Sequence, residues 1–401
     1  MKVLSVSYNG WGEHWPLGTL ADNGHDILFE YSPEALRRGI ELSPRHLPLR
    51  VIAFGGAPRH QHSLPGLFAD SLPDGWGQLL MDRLRGQTRV SPLDRLAFIG
   101  EHGMGALSYH PATTREATTP DLAAADHLAE LANAAQAIGR GEPHPLLGQL
   151  ALLGAAPQGS RPKLLLSLPD EDGAGSQPWL IKFPAHDEHK EVCAIEQVYA
   201  ELARACGLEV ADTRHIDLGR RHAAIASRRF DREDGLRVPV HTLAGLLHAD
   251  FRLPSVDYST FLRATRLITR DQRQVEAAFQ RCVFNVLFQH RGDHAHNITY
   301  RMNRKGDWQL APCYGLGYSH GPLGQHQMPV MGECAAPARD HLLRLATDTA
   351  VPERRARDLI AAMTAQAGLF AKLARHAPIR AATAKTIART IAANRERLRG
   401  A

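Results

Sequence analysis

The segment HRGDHAHNITYRMNRKGDWQLAPCYGLGYS (290–319) constrains this chain more than any other stretch. It follows a strongly apolar helical pattern, VEAAFQRCVFNVLFQ (275–289), and then reads as loop, strand, turn, strand, loop. Five polar side chains (His290, Arg291, Asp293, His294 and Asn297) crowd the point where the helix gives way to the hairpin. A buried helix needs a sizeable core around it. The 401 residues, 44% hydrophobic and 22% charged, supply one and suggest two or three domains. No run of eighteen apolar residues occurs, so a membrane span is not expected. The opening MKVLSVSYNGWGEHW lacks a signal core, and the five cysteines are scattered without a CxxC pair. Both point to a reducing, cytoplasmic setting.

Protein kinases build their catalytic centre in the same order of parts: a loop H-R-D-x-x-x-x-N, a hairpin, then D-F-G. Here His290, Arg291 and Gly292 occupy the H-R-D positions, and Asn297 stands five residues after Gly292. The order matches; the acid does not. Upstream, a kinase needs a strand lysine on the nucleotide phosphates and a helix glutamate to hold it. Lys182 in PWLIKFP and Glu196 in the next helix fit those roles, and snorkelling is the competing reading for a lone strand lysine. The loop GAAPQGSRPK, with Gly159, Ser160 and Lys163, precedes a strand, so its amides could cover phosphates. The imidazole and carboxylate groups at 290–296 also admit a metal site, but no distant His pair completes a ligand set. A hydrogen-bonded loop is favoured there, and likewise for SHGPLGQH (319–326). No Gly-x-Ser-x-Gly elbow, Walker loop or dinucleotide fingerprint is present.

Around this centre the pattern divides in three. Residues 1–140 carry the short strand-like runs VLSVSYNG, ILFEYS and LRVIAFGG, then a linker-like TTREATTP. An Ala-rich helix follows, with Pro120 at its first position and its end near Gly139. Residues 141–236 carry the strands KLLLSLP, PWLIKFP and RHAAIASRRF, with a helix on Val192, Ile195, Tyr199, Leu202 and Cys206. Residues 237–401 read as mostly helical, with the strand pair NITYRM and DWQLAP.

The motifs together resemble the HipA family of toxin kinases over most of the chain. GLFADSLPDGWG (66–77), RLAFIGEHGMGALSY (95–109), GSRPK (159–163), WLIKFP, SRRFDR (227–232), VFNVLFQHRGDHAHN and LAPCYGLGYSHGP stand in the family's order. The resemblance implies an α+β, bilobal, protein-kinase-like fold with a β-containing N-terminal subdomain and an all-helical C-lobe. It also implies ATP and Mg²⁺, a serine/threonine substrate among aminoacyl-tRNA synthetases, and a helix-turn-helix antitoxin on operator DNA. Carried over by position, the nucleotide-binding set is Gly159, Ser160, Lys163, Lys182, Glu196, Phe230 and His294.

Three functional positions depart from the family pattern. Gly292 stands at the catalytic Asp, Gly315 at the metal-binding Asp, and Ala156 at the autophosphorylated serine. Asp293 is left as a substitute base, and Asn297 alone remains at the metal position. Losing the acid that takes the hydroxyl proton costs roughly 10²–10⁴ in rate, and losing the metal carboxylate removes a further anchor. The expected reading is therefore a pseudokinase or severely impaired kinase that acts by binding. The alternative is an active serine/threonine kinase toxin. Finally, residues 353–400 hold eleven lysines and arginines against three acids, while the remainder is net negative. A basic helix IRAATAKTIARTIAANRERLRG is predicted, with Ile387, Ile391 and Leu398 on one stripe. Arg395, Arg397 and Arg399 become candidate DNA-phosphate contacts, against the bland reading of a solvated helix face.

Overall fold

Alternating apolar residues make the first strands. In the computed structural model, which describes residues 2–86, 90–113, 125–169 and 175–400, Leu4, Val6 and Tyr8 of β1 (Lys2–Tyr8) all point into a core. With β2 (Trp15–Asp22), β3 (Ile27–Tyr31), β4 (Ala53–Phe54) and β5 (Leu107–His110) it forms a sheet in the order β4-β3-β2-β1-β5. The sequence predicts β1, β3 and β4 but not β2, whose Pro16 and Gly18 disguise it. Gly18 is required by packing, since a Cβ there would lie 2.2 Å from the Glu30 carbonyl oxygen.

A second antiparallel sheet contains β6 (Lys163–Pro169), β7 (Ser176–Lys182), β8 (Thr213–Asp217) and β9 (Ala223–Arg228) in the order β6-β7-β9-β8. Edge strand β8 is too polar to announce itself. The helices Gly75–Arg85, Ala125–Gly139 and Leu147–Gly154 pack here through Trp76, Leu80, Leu131 and Leu150, against Leu164, Ile181 and Ala224. The start expected at Pro120 for the second of these lies outside the described residues.

By packing, the described chain groups into two units. One comprises Met1–Cys193, Asp212–His241 and Arg301–Gly306; the other comprises Ala194–Ala211, Thr242–Tyr300 and Asp307–Ala401. The strands of residues 141–236 fall in the same packing unit as the N-terminal sheet. The first unit also holds the hairpin β10 (Arg232–Glu233) and β11 (Leu236–Arg237). A three-stranded sheet has the order β12 (Val240–Thr242), β13 (Thr299–Met302), β14 (Trp308–Leu310). The C-terminal region is therefore not all-helical. The β13–β14 pair is the predicted hairpin; β12 is a strand the sequence does not betray.

The second unit is built on the helices Tyr258–Thr269, Gln272–Leu287, Arg339–Asp348, Glu353–Ala365 and Ala381–Arg399. Phe261, Phe279, Phe284, Phe288 and Phe370 are all buried in it. The last helix buries Ile387, Ile391 and Leu398 as its spacing predicts, and Asn394 completes the stripe. Its amide donates to the carbonyls of Val286 and Leu287, both at 3.1 Å. These carbonyls end the helix Gln272–Leu287, where no intrahelical partner exists for them.

Candidate active site

The expected phosphate loop lies between the helix Leu147–Gly154 and β6. Lys163 begins β6 nearly fully buried, and its ammonium donates to the Gln158 carbonyl at 2.6 Å. Gly159 has φ +112°, and a Cβ there would meet the Lys163 Nζ at 2.2 Å, so the lysine's seat depends on that glycine. Ser160 is exposed, and Arg161 is paired with Glu188 at 2.7 Å.

The signature 66–77 fastens this loop. Asp74 accepts a short hydrogen bond from the Gly159 amide, the Trp76 amide donates to the Gly159 carbonyl at 3.2 Å, and Gln158 donates to the Asp70 carbonyl at 3.0 Å. Glycines make the approach feasible: a Cβ on Gly75 would lie 2.8 Å from the Ser160 Cα, and one on Gly77 2.5 Å from the Ala155 oxygen. Sequence order placed these motifs about eighty residues apart; packing makes them one object.

A second pair of motifs is joined in the same unit. Asp231 of SRRFDR is fully buried and accepts from Arg229 at 2.7 Å, Arg232 at 2.8 Å and the Gly105 amide at 2.8 Å. Burial alone would raise its carboxyl pKa; the charges of Arg229 and Arg232 outweigh that and hold it well below the usual range. Arg237 adds bonds to the carbonyls of Gly105 and Leu107 at 2.9 and 2.7 Å. Segment 95–109 is thereby clamped to 227–232. Phe230, read as a nucleotide contact, is half-buried in the turn after β9. Lys182 ends β7, half-buried.

In the second unit, residues 290–297 leave the helix Gln272–Leu287 and end in a 3₁₀ turn, Ala295–Asn297. Buried His290 bonds through Nδ1 to the Gly317 carbonyl at 2.9 Å, tying the loop to the segment that carries Gly315. Desolvation lowers the His290 pKa, against the raising effects of the Gly317 hydrogen bond and the Asp293 charge. Arg291 donates to the carbonyls of His320 and Ala335. The Asn297 amide donates to the Gly292 carbonyl at 2.6 Å. His294 lies beside Phe251, with ring centroids 5.8 Å apart, and Glu196 is buried in its helix.

Asp293 is the surprise. Its Oδ2 accepts from the Tyr258 hydroxyl and bonds His326 Nδ1, both at 2.8 Å, and its Oδ1 accepts from the Gln327 amide at 3.0 Å. Burial would raise this carboxyl; the hydrogen bond and charge of His326, with His290 and Tyr258, bring it below the usual value. A carboxylate this engaged can reach a hydroxyl proton only by giving up a partner. The segment 319–326, expected as a hydrogen-bonded loop, supplies the imidazole. His326 lies 33 residues from Asp293, and no local spacing links them.

The two glycines differ. At Gly292 an added Cβ would be 3.4 Å from His290 Cε1 and 3.9 Å from the Asn297 amide nitrogen, which is ordinary contact. Gly315 has φ +63°, a left-handed conformation that side chains disfavour. The donor set does not fit magnesium, which asks for several oxygen ligands. Gly292 and Gly315 offer no side-chain oxygen, Asp293 is engaged, and Asn297 contributes one amide oxygen. Among the described residues, no group of three or more His, Cys, Asp or Glu is arranged to hold a metal. Nor is any described helix long and apolar enough to cross a membrane.

Two family models match: the HipA N-terminal domain over residues 8–110 and the HipA-like C-terminal domain over residues 155–369. The chain belongs to the HipA family. Its fold is similar to HipA of Shewanella oneidensis, solved in a toxin–antitoxin complex with HipB and operator DNA, with a TM-score of 0.72. That similarity covers 99% of this chain and 97% of that one, at 18% identity. The Helicobacter pylori proinflammatory kinase CtkA is also similar, at a TM-score of 0.40 and 11% identity, over 59% of this chain and 90% of that one. Comparison with curated proteins returned no match. The α+β fold that the resemblance implies is the fold of the family.

Proposed function

We propose that this HipA-family chain acts as a pseudokinase: a kinase-fold member of a toxin–antitoxin pair that works by binding its antitoxin and, through it, operator DNA. One observation carries the reading. Glycine occupies both carboxylate positions, and the acid that remains, Asp293, has both oxygens committed to Tyr258, His326 and the Gln327 amide. Phosphoryl transfer relies on positioning and on neutralising charge. With neither the proton acceptor nor the metal carboxylate supplied by a side chain, a turnover of about 1–100 s⁻¹ falls to a negligible one. The complex of the Shewanella relative supports an antitoxin and DNA as partners.

Nucleotide binding is a separate question from turnover. Gly159, Ser160, Lys163 and Lys182 are the residues that would meet ATP phosphates, and the fastened loop with its buried lysine favours retained, weak binding. The alternative, an active kinase on a translation protein, draws its support from that same loop. Calorimetry with ATP, with and without Mg²⁺, followed by a phosphate-transfer assay, tests the proposal. The expected result is weak binding that magnesium strengthens little, and no transfer above background. Robust transfer, or a large magnesium enhancement, would overturn it.

A further inference from the structure

Away from these motifs, the first unit contains a cleft of about 390 Å³, bordered by the helix Ala125–Gly139, the segment before the helix Glu191–Ala205, and the β8–β9 turn. Four cationic side chains line it: Arg140, Lys190, Arg220 and Arg221. Three histidines and a single acid, Glu188, also line it. Glu188 is already spent on Arg161 at 2.7 Å and on the Ala185 amide at 2.9 Å. Arg140 pairs with Glu142, and Lys190 with Asp217 and the Gly219 carbonyl. Arg220 and Arg221 have no hydrogen-bond or ion-pair partner among the described residues. Two adjacent, uncompensated guanidiniums facing a concave surface raise the local potential for an anion.

A second observation points the same way. His222 lines the cleft and is only 6% exposed. Its Nε2 bonds the Asn133 side-chain oxygen at 2.7 Å, so Nε2 carries the proton, while Nδ1 is buried without a partner. A buried unpaired polar atom is costly and commonly marks a group that is satisfied by something else.

We propose that this cleft is a binding site for a small phosphate-bearing anion, with Arg220 and Arg221 engaging phosphoryl oxygens and His222 Nδ1, an acceptor while Nε2 carries the proton, taking a hydrogen bond from a phosphoryl hydroxyl. Arginine forks suit phosphate oxygens, and the volume falls in the range of small-ligand sites, larger than one phosphate needs. His222 is so enclosed that its partner must enter the cleft. A terminal phosphoryl group can do so; a duplex phosphodiester cannot. The site adjoins the phosphate loop through the Glu188–Arg161 pair, but its four cations lie outside that loop, and it does not depend on whether the chain is a kinase.

Inorganic pyrophosphate is the first probe, titrated calorimetrically into the full chain at low salt, with ADP and short duplex DNA as further arms. Wild type should bind pyrophosphate. The exposed double variant Arg220→Ala/Arg221→Ala, which leaves the core untouched, should bind at least tenfold more weakly. His222→Gln should also weaken binding. If it misfolds, the double variant still decides. ADP that competes with pyrophosphate at this cleft makes a nucleotide the source; pyrophosphate binding without ADP competition makes the free anion the source. The proposal fails if pyrophosphate does not bind, if the double variant binds it as tightly as wild type, or if the double variant weakens only duplex DNA.

Discussion

Replacing Asp231 with alanine should be among the most damaging single changes in the first unit. The carboxylate is fully buried and gathers Arg229, Arg232 and the Gly105 amide. Removing it leaves those guanidiniums, and Arg237 beside them, clustered without a counter-charge. Breaking a buried pair in this way costs about 3–5 kcal/mol, a large share of the roughly 5–15 kcal/mol that holds a domain folded. At a urea slope of about 3 kcal/mol/M, the unfolding midpoint should fall by roughly 1–1.7 M. Tryptophan fluorescence reads the right unit, since Trp11, Trp15, Trp76 and Trp179 lie in it and only Trp308 in the other. The sign with pH follows from the depressed pKa. The stabilisation is present above the unfolded carboxylate value of about 3.9 and is lost as pH falls through the lower folded value. The alanine variant should lack that part of the acid dependence. A midpoint shift below about 0.3 M would mean that the arginines find other partners and that the clamp is not what joins 95–109 to 227–232.

Gly292→Asp should be accepted with a stability change within about 0.5 kcal/mol, whereas Gly315→Asp should cost about 1–2 kcal/mol through its left-handed backbone. Denaturation curves compare the two, and the doubly restored chain should regain phosphate transfer if the rest of the site is intact. Asp293→Asn should lose about 1.5–3 kcal/mol at pH 7, with the difference from wild type shrinking as pH drops below about 4, because the native carboxyl titrates below its unfolded value. Equal stability at pH 7 would refute the buried network with His326. Arg397 and Arg399 are exposed and Arg395 half-buried on the last helix. If about three phosphates are contacted within a DNA-bound antitoxin complex, the Arg395→Ala/Arg397→Ala/Arg399→Ala variant should flatten the log–log salt slope by nearly 3 and weaken all sequences alike. An unchanged slope returns these residues to a solvated surface.

Much of this architecture was legible because its signals are local. Alternation gave β1, β3 and β6, the 3- and 4-residue spacing gave the helix Glu191–Ala205, and Asn303–Gly306 gave the turn between β13 and β14. What escaped depends on distant partners. β8 is a polar edge strand, and β2 is interrupted by a proline and a glycine. Asn394 reads as a break in an apolar stripe until the two carbonyls it caps are known. In the candidate site, the glycines at 292 and 315 are visible residue by residue. The burial of Asp293 is not, because its imidazole comes from a segment with no motif of its own.

The bonds from Asp74 and Trp76 to Gly159 make the phosphate loop a moored element rather than a free arm. Anything that needs the loop to shift must first loosen moorings set by residues 66–77, which need touch no ligand. Under the proposed function, the loop's hold on phosphate is open to retuning from a remote stretch of chain. Two sequences with identical phosphate loops need not share a grip on phosphate if their moorings differ.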